Sequence, residues 1–107
     1  MRRVRFLRNP LATEIGDTVE EFLQILGGPA SVFLDGRDTR RTRALVTLLH
    51  GNEPSGLMAL FRWIKSGRQP AVNCVCIIGS VEAALRPPLF SHRMLPGVRD
   101  LNRCFKP

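Results

Sequence analysis

Residues 44–56 read Ala44-Leu45-Val46-Thr47-Leu48-Leu49-His50-Gly51-Asn52-Glu53-Pro54-Ser55-Gly56, and the expected architecture grows out of them. The first six are apolar apart from one threonine, a run of strand length. Leu57, Leu60, Phe61 and Ile64 follow at helical spacing, which predicts a helix starting at or just after Pro54 and stopping at Gly67. His50 thus closes a strand and Glu53 opens a helix. Gly51 lets the backbone turn tightly between them, and Pro54 suits the first helical position, where a missing N–H costs nothing.

Residues 71–78 supply the next apolar strand. Strand, helix and strand joined by short links form a βαβ unit, so 41–49 and 71–78 are expected as parallel neighbours. Upstream, 30–34 reads as a strand and Asp35-Gly36-Arg37-Asp38-Thr39 as a turn. That turn predicts antiparallel pairing of 30–34 with 41–49. Earlier still, Thr18-Val19-Glu20-Glu21 forms a capping box, and Val19, Phe22, Leu23 and Leu26 make one apolar helical stripe ended by Gly27-Gly28. Residues 1–13, broken by Pro10, are expected as an extended, loosely anchored lead. After the last strand, 79–85 allows one or two helical turns before Arg86-Pro87-Pro88, and 87–107 reads as a long loop with a turn at Pro96-Gly97. The fold class is α/β: a mixed sheet containing a βαβ unit.

Ligands of such sheets bind outside the carboxyl ends of the strands, where His50 and Glu53 fall. A helix N-terminus favours a carboxylate in its charged form. Imidazole and carboxylate on one short loop make two-thirds of a His₂Glu zinc site. Taken alone, the same spacing better suits a polar strand end followed by a helix-start charge. Downstream stands Arg99-Asp100-Leu101-Asn102-Arg103-Cys104-Phe105. A guanidinium such as that of Arg103 clamps a carboxylate through two parallel hydrogen bonds, and Asn102 adds an amide donor. His92, with no partner at ligand spacing, reads as a loop histidine.

His50-Gly51-Asn52-Glu53 followed by Asp100-Leu101-Asn102-Arg103 and Phe105 resembles the succinylglutamate desuccinylase/aspartoacylase family, relatives of the zinc carboxypeptidases. The resemblance covers about 45–105. It implies an incomplete zinc-carboxypeptidase-like (phosphorylase/hydrolase-like) domain. It further implies that His50 and Glu53 bind zinc and that Asn102 and Arg103 bind the substrate carboxylate, with Arg93 or Arg99 as a further substrate arginine. The implied reaction is zinc-dependent hydrolysis of the amide bond of an N-acyl amino acid resembling N-succinylglutamate or N-acetylaspartate. Members of that family take a second zinc histidine and a glutamate base from beyond the Asp-Leu-Asn-Arg motif. No catalytic residue is therefore assigned within 1–107. These residues are expected to be the N-terminal part of a catalytic domain that continues C-terminal to residue 107, inactive alone. Two departures leave the acyl amino acid open: Gly79-Ser80 replaces the usual Asn-Pro, and 94–98 lengthens the approach to the second motif.

Composition sets the outer bounds. With 107 residues, 44% hydrophobic and 23% charged, the chain suits one folded domain rather than a disordered segment. No apolar run approaches the roughly 20 residues of a membrane span. Met1-Arg2-Arg3 lacks the apolar stretch of a secretory signal, and three cysteines without a C-x-x-C pair disfavour a disulfide framework, so a cytoplasmic location is expected. A net charge of +7 raises the alternative of a basic module that binds nucleic acid or an acidic protein. Its arginines cluster at Arg2, Arg3, Arg5 and Arg8 and at Arg37, Arg40, Arg41 and Arg43. Neither cluster lies on a convincing recognition helix, which disfavours nucleic acid.

Overall fold

A computed structural model describes residues 4–95. Four strands, β1 (Arg5–Arg8), β2 (Ala30–Leu34), β3 (Asp38–Thr47) and β4 (Val72–Ile78), form one mixed sheet in the order β1-β2-β4-β3. Three α-helices join them: α1 (Val19–Leu26), α2 (Ser55–Ser66) and α3 (Val81–Leu85), with a 3-10 turn at Ala12–Glu14. No helix among the described residues is long and apolar enough to cross a membrane.

The βαβ unit forms as its periodicity predicts. β3 and β4 run parallel from Arg43↔Cys74 to Thr47↔Ile78, and α2 between them buries Leu57, Leu60 and Ile64. Gly67 ends α2 at φ 70°, a left-handed conformation that suits glycine. At the start of α1 the Thr18 hydroxyl oxygen accepts the Glu21 N–H at 3.1 Å. Phe22, Leu23 and Leu26 turn inward, and the Phe22 ring lies 5.9 Å from that of Phe61 in α2.

Two local expectations give way to longer-range physics. The strand 30–34 does not pair with 41–49, because β4 lies between them, antiparallel to β2 and parallel to β3. β4 reads Val-Asn-Cys-Val-Cys-Ile-Ile and carries no charge on either side, which suits a central strand. β3 carries Arg40, Arg41 and Arg43, which an edge position leaves in water. Nor is the expected lead over 1–13 loosely anchored where it is described: β1 pairs parallel with β2 in the register Arg5↔Ala30 to Arg8↔Phe33. Arg5 donates to the Ile25 carbonyl at 2.7 Å, and the Asn9 side-chain oxygen accepts the Asp35 N–H at 2.8 Å. Those partners stand 20 and 26 positions away, beyond the reach of any local pattern.

Residues paired across the ladders share a face, so the sheet can be read in rows. Leu7, Val32, Cys76 and Leu45 make one row facing the helices. Val32 and Cys76 are buried there, but Leu45 at the β3 end is 53% exposed. Phe6, Ser31, Ile77 and Val46 make a row on the opposite face, with Ile77 43% and Val46 49% exposed. Burial therefore centres on β2 and β4 and runs out toward β3.

Candidate metal centre

The candidate centre is the corner where β3 passes into α2. Ladder pairing ends at Thr47, and Leu48 turns the chain at φ 52° with its side chain buried. Three hydrogen bonds from the end of β4 hold this corner. Gly79 N–H donates to Thr47 O at 3.1 Å, Ser80 N–H to Leu48 O at 2.7 Å, and the Ser80 hydroxyl to Leu49 O at 2.7 Å. The backbone immediately before His50 is thereby fixed from the neighbouring parallel strand.

His50 is only 5% exposed, and its Nδ1 faces Oε1 of Glu53 in a hydrogen bond. An ionised carboxylate has no proton to give, so the ring nitrogen is the donor. Glu53 N–H donates to His50 O at 3.1 Å and closes the turn that brings the two side chains together. The Glu53 side chain is 56% exposed, so the pair is walled by protein around the imidazole and open at the carboxylate. Pro54 sits in the cap position, one place earlier than expected, and its carbonyl accepts the Met58 N–H at 2.9 Å.

Gly51 does more than permit the turn. Its N–H donates to Arg93 O at 2.8 Å. A Cβ there would collide with His92 O and stand 2.8 Å from Ala83, so only glycine lets the 92–93 segment lie across the corner. The backbone of Arg93 is thus tied one residue from His50, while its side chain is exposed. The His92 ring is engaged elsewhere: its Nε2 hydrogen-bonds Pro87 O at 3.0 Å.

Of the residues picked out from sequence, His50, Glu53 and the Arg93 backbone come together. Asn102, Arg103 and Arg99 lie outside the described residues. No group of three or more His, Cys, Asp or Glu that would hold a metal occurs among the described residues. His50 and Glu53 fit two places of a His₂Glu donor set, since loss of the Nδ1 proton would leave a lone pair beside the carboxylate. Sequence reasoning missed Ser80, whose only signal was a small hydroxyl residue directly after an apolar strand.

The basic residues divide into two groups. Arg8 pairs with Asp35 at 3.0 Å and Arg40 with Asp38 at 3.1 Å. Hydrogen bonds from the Asn9 amide and then from Arg8 hold the Asp35 carboxyl below its ordinary pKa, and Arg40 does the same for Asp38. Arg37, Arg41 and Arg43 are exposed and have no carboxylate within ion-pair distance among the described residues. No protein-family model, curated protein or solved structure matches the chain.

Proposed function

We propose that this chain belongs to a zinc-dependent hydrolase that cleaves the amide bond of an N-acyl amino acid, of the succinylglutamate desuccinylase/aspartoacylase type with a zinc-carboxypeptidase-like fold. One observation carries the reading: His50 Nδ1 and Glu53 Oε1 meet at the carboxyl end of parallel strand β3. The Arg93 segment, tied across that corner, lends further support.

In this reading His50 and Glu53 would hold the metal, and burial of the ring together with the hydrogen bonds to the Leu48 and Leu49 carbonyls limits the freedom of the imidazole. Zinc, when bound, would polarise the amide carbonyl and lower the pKa of a bound water. Arg93, with Asn102 and Arg103, binds the substrate carboxylate, the guanidinium fork fixing its orientation. A His₂Glu centre needs a further histidine and the reaction a general base, and neither is assigned within residues 1–107, so the two ligands by themselves are expected to bind zinc weakly.

Isothermal titration with zinc tests the proposal on the chain as it stands. The expected result is weak binding of one ion with release of a proton. Replacement His50→Ala abolishes it and Glu53→Gln weakens it. Equal affinities for wild type and His50→Ala would refute the metal site. No hydrolysis of N-acetylaspartate or N-succinylglutamate is expected from these residues, and turnover would refute the view that His50 and Glu53 alone do not make a catalytic set.

A further inference from the structure

The two edges of the sheet are built differently. β1 has 4 residues, and Arg8 at its end is occupied by Asp35 and by the Phe33 ring, 5.3 Å from the guanidinium carbon to the ring centroid. β3 has 10 residues, and 39–46 are exposed without interruption. A register shift lies between Asp38 and Thr42, after which pairing with β4 is regular to Thr47. One side of β3 is bonded to β4; no strand among the described residues pairs with the other.

Exposed edges are ordinarily guarded by charges, bulges or shortness. Here the irregularity and the arginines Arg40, Arg41 and Arg43 stand before the apolar stretch and leave Ala44-Leu45-Val46 open. Both flanks of that stretch are uncovered. On the helix side Leu45 borders a cleft of about 470 Å³ between β3 and α2, lined also by Arg43, Leu60, Trp63 and Cys74. On the other side Val46 and Ile77 form an exposed apolar pair. An added strand would satisfy the free backbone groups and cover both flanks at once.

The geometry points to β3 as a docking edge for an extended, acidic segment of a partner protein, which adds to the sheet as a fifth strand. Charge selects the occupant. Arg41 and Arg43 have no carboxylate partner among the described residues, unlike Arg8 and Arg40. A second copy of this chain would instead bring two bodies of net charge +7 together along strands that each carry three arginines. Side chains of a strand alternate between faces, so acidic residues on one face of the guest would lie beside Arg43. Its β-branched residues on the other face would cover Val46 and Ile77. Strand addition at this edge requires nothing of the metal centre and stands independently of it.

A short capped peptide alternating glutamate with valine and threonine is the probe, with its lysine-for-glutamate counterpart as control. Binding is read by titration, and its location by protection of β3 amides against hydrogen exchange. The glutamate peptide is expected to bind at least tenfold tighter than the lysine peptide and to protect amides within 39–46. The double variant R41E/R43E, altered only at exposed side chains, should reverse that preference while its thermal unfolding stays unchanged. Equal binding of the two peptides, or no binding of either, would overturn the proposal. So would protection located away from β3, tighter binding of a single-stranded oligonucleotide at the same edge, or a dimer of the unliganded chain in sedimentation.

Discussion

Leu45 and Leu48 stand three positions apart in one continuous segment, yet they meet opposite fates. Leu45 is 53% exposed on the edge strand, whereas Leu48 is 2% exposed at the turn into α2. The residue type is the same; the lateral neighbours differ. At Leu48 the end of β4 and the start of α3 close over the chain through Gly79 and Ser80. At Leu45, among the described residues, β4 is the one strand alongside, and the side chain is half exposed. One stretch thus provides a buried, hydrogen-bonded corner, where the metal site is proposed, and an exposed edge, where strand addition is proposed.

Truncating the two leucines is the strongest way to break that comparison. Leu48→Ala should cost about 2–5 kcal/mol in urea unfolding, the usual loss for a buried leucine. Leu45→Ala should stay within about 0.5 kcal/mol. Equal losses would mean that burial does not divide the segment as described. A smaller effect is expected from Gly51→Ala, where the added methyl meets His92 O and Ala83. Overpacking of that kind costs about 1–3 kcal/mol, and under the proposed metal site it should weaken zinc binding as well by displacing the corner. If unfolding and zinc affinity were both unchanged, the close passage of 92–93 over Gly51 would be disproved.

The smallest effect concerns the border between the two regions. Cys76 pairs with Leu45 across the ladder but is buried, and burial first, then the neighbouring Cys74, pushes its thiol up to about 11 from 9.0. Well below pH 9 the thiol is protonated whether the chain is folded or not, and its contribution to stability is complete. As pH rises from 9.0 toward about 11, the unfolded chain releases that proton while the folded chain retains it, so stability falls. A Cys76→Ser variant should lose this alkaline slope, measured as the urea midpoint against pH. An unchanged slope would move its origin elsewhere.

Much of the fold was readable without coordinates, because short-range chemistry dictated it. The stripe Val19, Phe22, Leu23, Leu26 with its threonine cap set α1, and the apolar repeat after Pro54 set α2. An uncharged run of small and branched residues set β4, and two strands flanking a helix implied their parallel pairing. The meeting of His50 and Glu53 was legible for the same reason, since three positions at a strand-to-helix turn leave little freedom in where two side chains point.

What sequence could not supply was every decision made between distant segments. Whether β2 lies beside β3 or beside β4 depends on which strand can be buried on two faces, a contest between whole strands rather than a local preference. The anchoring of β1 needs partners 20 and 26 positions away, and the hold of Ser80 on Leu49 spans 31. Closing such distances costs chain entropy that only cooperative packing repays, so no window of neighbouring residues contains the answer. The helix and strand assignments were matters of local pattern; the order of the sheet, the open edge and the clamp on the corner were settled by the assembled fold.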